Sequence, residues 1–164
     1  MDVVFTYGRF NPPHLGHKMM IEEIINKASK MKKTPVVIVS HSYGNKTNPL
    51  SVPDKIRILK RWFPELTVLS SSRERSLAKI ADNFNERSVM VVGENRKNAF
   101  SFLKFNRLAL KRPNDAPSAT KARTAAVNGN KEVFKNLTGY NLTNNIQNKI
   151  SKASTITKTK RSKL

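Results

Sequence analysis

Four short apolar runs stand along the first part of the chain with amphipathic stretches between them: "DVVFTY" (Asp2–Tyr7), "PVVIVSH" (Pro35–His41), "LTVLS" (Leu66–Ser70) and "SVMVVG" (Ser88–Gly93). Runs this short, rich in β-branched residues, read as strands. The last is apolar on every position, as a strand covered on both faces is. Between the first two, Leu15, Met19, Met20, Ile24, Ala28 and Met31 recur near a helical period, with Lys18, Glu22, Glu23 and Lys27 on the other side. Asp54–Phe63 and Arg73–Phe84 read as further helices, the former stopped by Pro64. Strands alternating with helices imply right-handed crossovers and a doubly wound parallel sheet with helices on both faces. Asn95–Phe105 also reads as a helix, and "RLALK" (Arg107–Lys111) as a weak fifth strand.

Such a sheet binds ligands at the carboxyl ends of its strands. Gly8–His17 and Gly93–Arg96 follow strands directly and fall at that edge, as does His41. In "GRFNPPHLGH", His14 and His17 stand three residues apart at a helix start, which puts both on one face. Unpaired N–H groups there suit an anion. Gly16 removes a side chain where a bulky group must come close, Pro12 and Pro13 stiffen the approach, and Arg9 and Lys18 add positive charge. Farther on, "SATKAR" has the same design: Ser118 is a good N-cap, Thr120 adds a hydroxyl, and Arg123 follows one turn later. Alone, this second stretch reads first as an ordinary capped surface helix; beside the first loop, the phosphate-holding reading takes precedence. Gly129 can end it, and Lys131–Leu137 reads as one more short helix.

Lys and Arg number 31 against 11 Asp and Glu, a net charge of +20. That field attracts polyanions: nucleic acid, nucleotides or an anionic surface. With no cysteine, disulfides and thiolate metal sites are excluded. The apolar runs are too short to span a bilayer, and the N-terminus lacks a signal pattern, so a cytoplasmic or otherwise intracellular protein with no membrane partner is expected.

The stretch "GRFNPPHLGH" closely resembles the H-x-G-H signature of the nucleotidylyltransferase superfamily, and "SATKAR" is similar to its S-x-T-x-x-R helix start. "VVIVSHSYGNKTNPLSVPDKIRILKRWFP" and "MVVGENR" resemble the second-strand and fourth-strand motifs of small phage-type and archaeal-type members, which include nicotinamide mononucleotide adenylyltransferases. The likeness covers Val3 to Leu137, and it adds the expectation of a phage-encoded chain. It implies a Rossmann-like domain, set at residues 1–142; from Thr143 the apolar density falls, and the basic, Ser/Thr-rich composition reads as a separate segment, 143–164, with a short helix over Thr143–Ile150 and then a flexible tail. It also implies transfer of a nucleoside monophosphate, AMP from ATP, to a phosphorylated acceptor such as nicotinamide mononucleotide, with pyrophosphate leaving.

By the same resemblance, His14, His17 and Arg123 are the candidate catalytic residues. Tyr7, Gly8, Arg9, Phe10, Lys18, Lys46, Gly93, Asn95, Arg96, Ser118 and Thr120 are candidates for holding nucleotide and phosphate. Lys46 reads equally as a solvated loop lysine, Arg96 as a surface arginine, and Trp62 as core rather than a stacking platform. Where many relatives carry an aspartate two residues after the strand-four glycine, this chain has Asn95, so ATP and CTP both stay open. Mg2+ is expected with the triphosphate; no carboxylate cluster marks a cage for it, and no metal ligand is named. A basic nucleic-acid-binding protein on the same fold is the alternative, with non-specific contact through the basic surface and tail.

Overall fold

Alternation along the strands builds two cores, one on each side of a sheet. In a computed structural model, which describes residues 1–96, 98–111 and 117–156, five strands form that sheet. They are β1 (Val3–Gly8), β2 (Thr34–Val39), β3 (Thr67–Ser70), β4 (Val89–Gly93) and β5 (Asn106–Leu110), all parallel in the order β3-β2-β1-β4-β5. Val3, Phe5, Val36, Ile38, Met90 and Val92 share one core. Val37 and Val39, with Val4 and Val91, serve the opposite face. The fold is the Rossmann-like doubly wound parallel sheet expected from the alternation and the resemblance.

α1 (Leu15–Met31) and α2 (Val52–Trp62) cover the second face, through Ile21, Ile24 and Ala28 of α1 and Leu59 of α2. α3 (Leu77–Ala81) covers the first with Leu77 and Ile80. A third layer of α4 (Ala119–Val127), α5 (Lys131–Thr138) and α6 (Asn144–Ser154) lies outside α2. Its small Ala122, Ala125 and Ala126 let Phe134, Ile150 and Ile58 close on one another. No helix among the described residues is long and apolar enough to cross a membrane.

Two expected helices are shorter than their sequence suggests. The stretch Arg73–Phe84 is helical only over Leu77–Ala81. Ser72 Oγ accepts from Arg75 N–H and Ser76 Oγ from Lys79 N–H, so a turn and then an N-cap use up the preceding residues. Instead of a helix over Asn95–Phe105 there is a single 3-10 turn, Glu94–Arg96, followed by turns. Phe100 and Leu103 drop from it into the first core, and Arg107 Nη1 takes the carbonyls of both, at 3.1 and 3.3 Å. The short helix expected over Thr143–Ile150 runs Asn144–Ser154 and is docked, with Ile150 and Ala153 buried. The flexible tail expected after it falls on residues 157–164, outside the described residues.

Candidate functional site

The sheet reverses its order between β1 and β4, and there its ladder is short. Val4 pairs with Val89 and Phe5 with Met90. One residue on, Thr6 Oγ1 rather than backbone bridges the strands, donating to Val91 O at 2.7 Å. Beyond that point Tyr7 and Gly8 diverge from β4, leaving a crevice at the carboxyl edge of the sheet.

The loop over this crevice is built to hold two imidazoles. His14 is the N-cap of α1, and its Nδ1 accepts the Gly16 N–H at 3.1 Å. His17, one turn on, accepts the His14 N–H at its own Nδ1, also at 3.1 Å. Two orphan donors of the helix start are thereby satisfied by side chains. Each Nδ1 is an acceptor, which assigns the proton of each neutral ring to Nε2. The rings stack, and Phe10 packs against His17 with centroids 4.5 Å apart. Gly16 serves this arrangement directly: a Cβ there would lie 2.9 Å from His14 Cε1. The group whose approach requires the glycine is the His14 ring itself.

Cations from three parts of the chain meet behind the loop. Arg9 is exposed at the end of β1, and its carbonyl accepts from Lys55 Nζ at 2.8 Å. The same ammonium donates to Ser40 O at 2.7 Å, so fully buried Lys55 ties the ends of β1 and β2 together. Burial, with the charge of Arg9 added, brings Lys55 down to about 8 from its ordinary 10.5. Arg123 of α4 reaches across to Asn11 O at 2.9 Å and Thr47 O at 3.4 Å. Burial and then Arg9 lower its guanidinium as well. Among the described residues none of the three cations forms an ion pair. Uncompensated positive charge beside a helix start is an anion-binding arrangement.

The remaining candidates divide. Ser118 caps α4, accepting from Lys121 N–H, and Thr120 Oγ1 accepts from Arg123 Nη2 at 3.2 Å, so both hydroxyls stand at the Arg123 end of the site. The Pro117 carbonyl lies 3.6 Å from the position of a Gly16 Cβ, which brings this second helix start up to the first. Lys18 sits in the first turn of α1. Lys46 is exposed in a tight loop whose turn is made by Asn45 Oδ1. Tyr7 stands at the crevice with its ring against Phe100, and Gly8 O receives Ser40 N–H. Gly93 ends β4, but Asn95 Oδ1 lies 3.0 Å from where its Cβ would be, in the space expected for a close nucleotide. Asn95 and Arg96 are exposed on the 3-10 turn.

Three residues that hold the site together were not singled out from the sequence. Asn11 exchanges two hydrogen bonds with the Leu50 backbone, at 2.8 and 3.0 Å, locking the histidine loop to the loop after β2. Tyr140, whose phenol burial pushes well above its ordinary range, donates to Pro13 O at 2.7 Å. Lys55 had a readable signal: with Ile58 and Leu59 it falls on the buried stripe of α2 at helical spacing. Asn11 and Tyr140 had none, because their partners lie 39 and 127 residues away.

No three His, Cys, Asp or Glu side chains converge as metal ligands among the described residues. The donors at the site are imidazole, guanidinium, ammonium and hydroxyl groups, a set that fits an anion and offers no cage for a cation.

A family model described as cytidylyltransferase-like matches residues 5–136. Comparison with curated proteins finds no match. Among solved structures, a bifunctional NMN adenylyltransferase/ADP ribose pyrophosphatase from Francisella tularensis is similar with a TM-score of 0.65 and 17% identity, over 92% of this chain and 52% of that one. A second structure of a protein so described, complexed with AMP and a manganese ion, gives a TM-score of 0.61 at 17% identity, over 99% and 52%. A structure from Streptococcus pneumoniae described as a macrolide-efflux protein gives 0.59 at 18%, over 86% and 65%. The chain thus spans between half and two thirds of the length of these structures. At such identities the likeness speaks to the fold alone.

Proposed function

The chain belongs to the cytidylyltransferase-like family, and from that premise we propose that it transfers a nucleoside monophosphate from a nucleoside triphosphate to a phosphorylated acceptor. The donor is ATP and the acceptor is of the nicotinamide mononucleotide kind. The reading assigns residues 1–142 to the transferase domain and 143–164 to a basic C-terminal segment. The observation that carries it is the meeting of paired imidazoles at a helix start with three cations, Arg9, Lys55 and Arg123, that form no ion pair among the described residues.

With Nδ1 of each imidazole accepting a backbone N–H, the reading assigns the Nε2 edges of both rings to the non-bridging oxygens of an α-phosphate. Their orientation is set before the substrate arrives, so no reorganisation is needed as charge develops. An oxygen of the acceptor phosphate attacks the α-phosphorus, the bond to the bridging oxygen breaks, and pyrophosphate leaves with that oxygen. The reading gives Ser118, Thr120 and Arg123, which meet at the start of α4, the task of holding the leaving phosphates. Ser118 and Thr120 accept through their oxygens and keep their own protons to donate. The protein's part is positioning and charge stabilisation. Magnesium would enter as part of the triphosphate; among the described residues no cluster of metal ligands forms a cage for it.

A cytidylyl donor is the second reading, favoured by the family description. One experiment tests both: nucleoside triphosphates crossed with phosphorylated acceptors in the presence of Mg2+, followed by pyrophosphate release. ATP with nicotinamide mononucleotide is expected to turn over; CTP alone as donor selects the second reading, and no turnover with any pair refutes both.

A further inference from the structure

We infer that the trough between α2 and the C-terminal helices binds single-stranded nucleic acid, with bases laid on Trp62 and phosphates held by Arg61 and Lys135. Two hollows form it. One of about 380 Å3 takes in Trp62, Tyr140 and Lys135. The other, of about 300 Å3, takes in Arg57 and Asp54. Ile58, Arg61, Thr143 and Ile146 line both, so the hollows are continuous. Each has the volume of a small-ligand cleft, and set end to end they suit a linear ligand.

The floor is aromatic. Trp62 and Tyr140 are half-buried neighbours, ring centroids 6.1 Å apart, with the Tyr140 hydroxyl turned away to Pro13. A base can stack on such a platform whatever its identity, because every base has a π-face. The rim is cationic. Arg61 and Lys135 are exposed and, among the described residues, form no ion pair. The one carboxylate lining the trough, Asp54, is already engaged by Lys149 at 2.9 Å and by Arg57 at 3.2 Å. The trough therefore presents net positive charge to a phosphate chain. Asn141 and Asn145 on its wall add amides for base edges. The +20 charge of the chain also exceeds what a nucleotide pocket uses.

Trp62 is the single tryptophan of the chain, so its emission reports the trough alone. The full chain is titrated at low salt with an oligothymidylate and, separately, with polyaspartate. Saturable quenching by the oligonucleotide is expected, with log affinity falling linearly in log salt. Substituting Arg61→Ala together with Lys135→Ala should weaken binding about tenfold and flatten the salt slope by about 1.4. Both side chains are exposed, so the melting temperature should hold. Binding without a change in Trp62 emission, or binding indifferent to the double substitution, places the strand elsewhere and overturns the inference. Equal quenching by polyaspartate overturns the nucleic-acid identity, and absence of binding overturns the whole. None of these readouts depends on nucleotidyl transfer.

Discussion

The rings of His14 and His17 lie 3.7 Å apart, centroid to centroid, with 27° between their planes. Each is held at Nδ1 by a backbone N–H, so the pair is oriented by the chain itself before any ligand binds. Replacing His17 by alanine removes one presented donor and one cap. Transfer should fall about 10²–10³-fold, as loss of an oriented donor does. Stability should drop by only about 1 kcal/mol for the lost cap. Pyrophosphate release and thermal unfolding measured on the same sample check both parts; an unchanged rate would refute the assignment.

Gly16→Ala separates activity from stability. Alanine is the better helix former by about 1 kcal/mol. Its methyl, however, meets the His14 ring at 2.9 Å and forces that ring to turn. The variant should be about as stable as the parent, because the His14 cap lost when the ring turns offsets the helix gain, and it should be much less active. A fully active variant would show that the His14 pose is irrelevant to transfer.

Lys55 sets a basic-side pH dependence. Its folded value is about 8 and its ordinary value 10.5. Between these pH values the folded protein has released the proton that the unfolded chain still binds, so the Lys55 contribution to stability rises with pH there. Below pH 8 both states are protonated and the cost of burying the charge is constant, at most about 3 kcal/mol. The pH slope of unfolding free energy across this window should be more positive in the parent than in Lys55→Met. Chemical denaturation at several pH values measures it. Transfer by Lys55→Met should also fall, because the ends of β1 and β2 lose their tie.

Asp54 acts on the acid side. Burial opposes its charge, but hydrogen bonds from Lys149 and Ser51 outweigh that and hold the carboxyl below its ordinary 3.8. A lowered carboxyl stabilises the fold above its unfolded value and loses that contribution as pH falls through the folded one. Asp54→Asn should therefore cost about 1–2 kcal/mol at neutral pH, where Lys149 loses its partner, and the gap to the parent should close in strong acid. Thermal melts near pH 7 and below pH 3 test the difference.

The sheet was legible because strand alternation and helix period are local. Phe5 and Val4 declare opposite faces by adjacency alone, and β1 through β4 follow from such patterns. Helix extent was less legible at Arg73–Phe84 and Asn95–Phe105, where Ser72, Ser76 and Arg107 bind the backbone in competition with the helix. The histidine pair was visible through its spacing. What holds it in place was not, since Asn11, Arg123 and Tyr140 act on carbonyls and amides far off in sequence, and a carbonyl leaves no trace in the one-letter code.

Arg123 grips Asn11 from 112 positions downstream, and Tyr140 grips Pro13 from 127. On a ribosome this fixes an order of events. The sheet has all its strands once β5 has emerged, but the histidine loop has neither strut until α4 and the turn after α5 are also out. A nascent chain paused between those points would carry a formed sheet and a histidine loop held by the Asn11–Leu50 lock alone, with the candidate site still waiting on the last helices to be made.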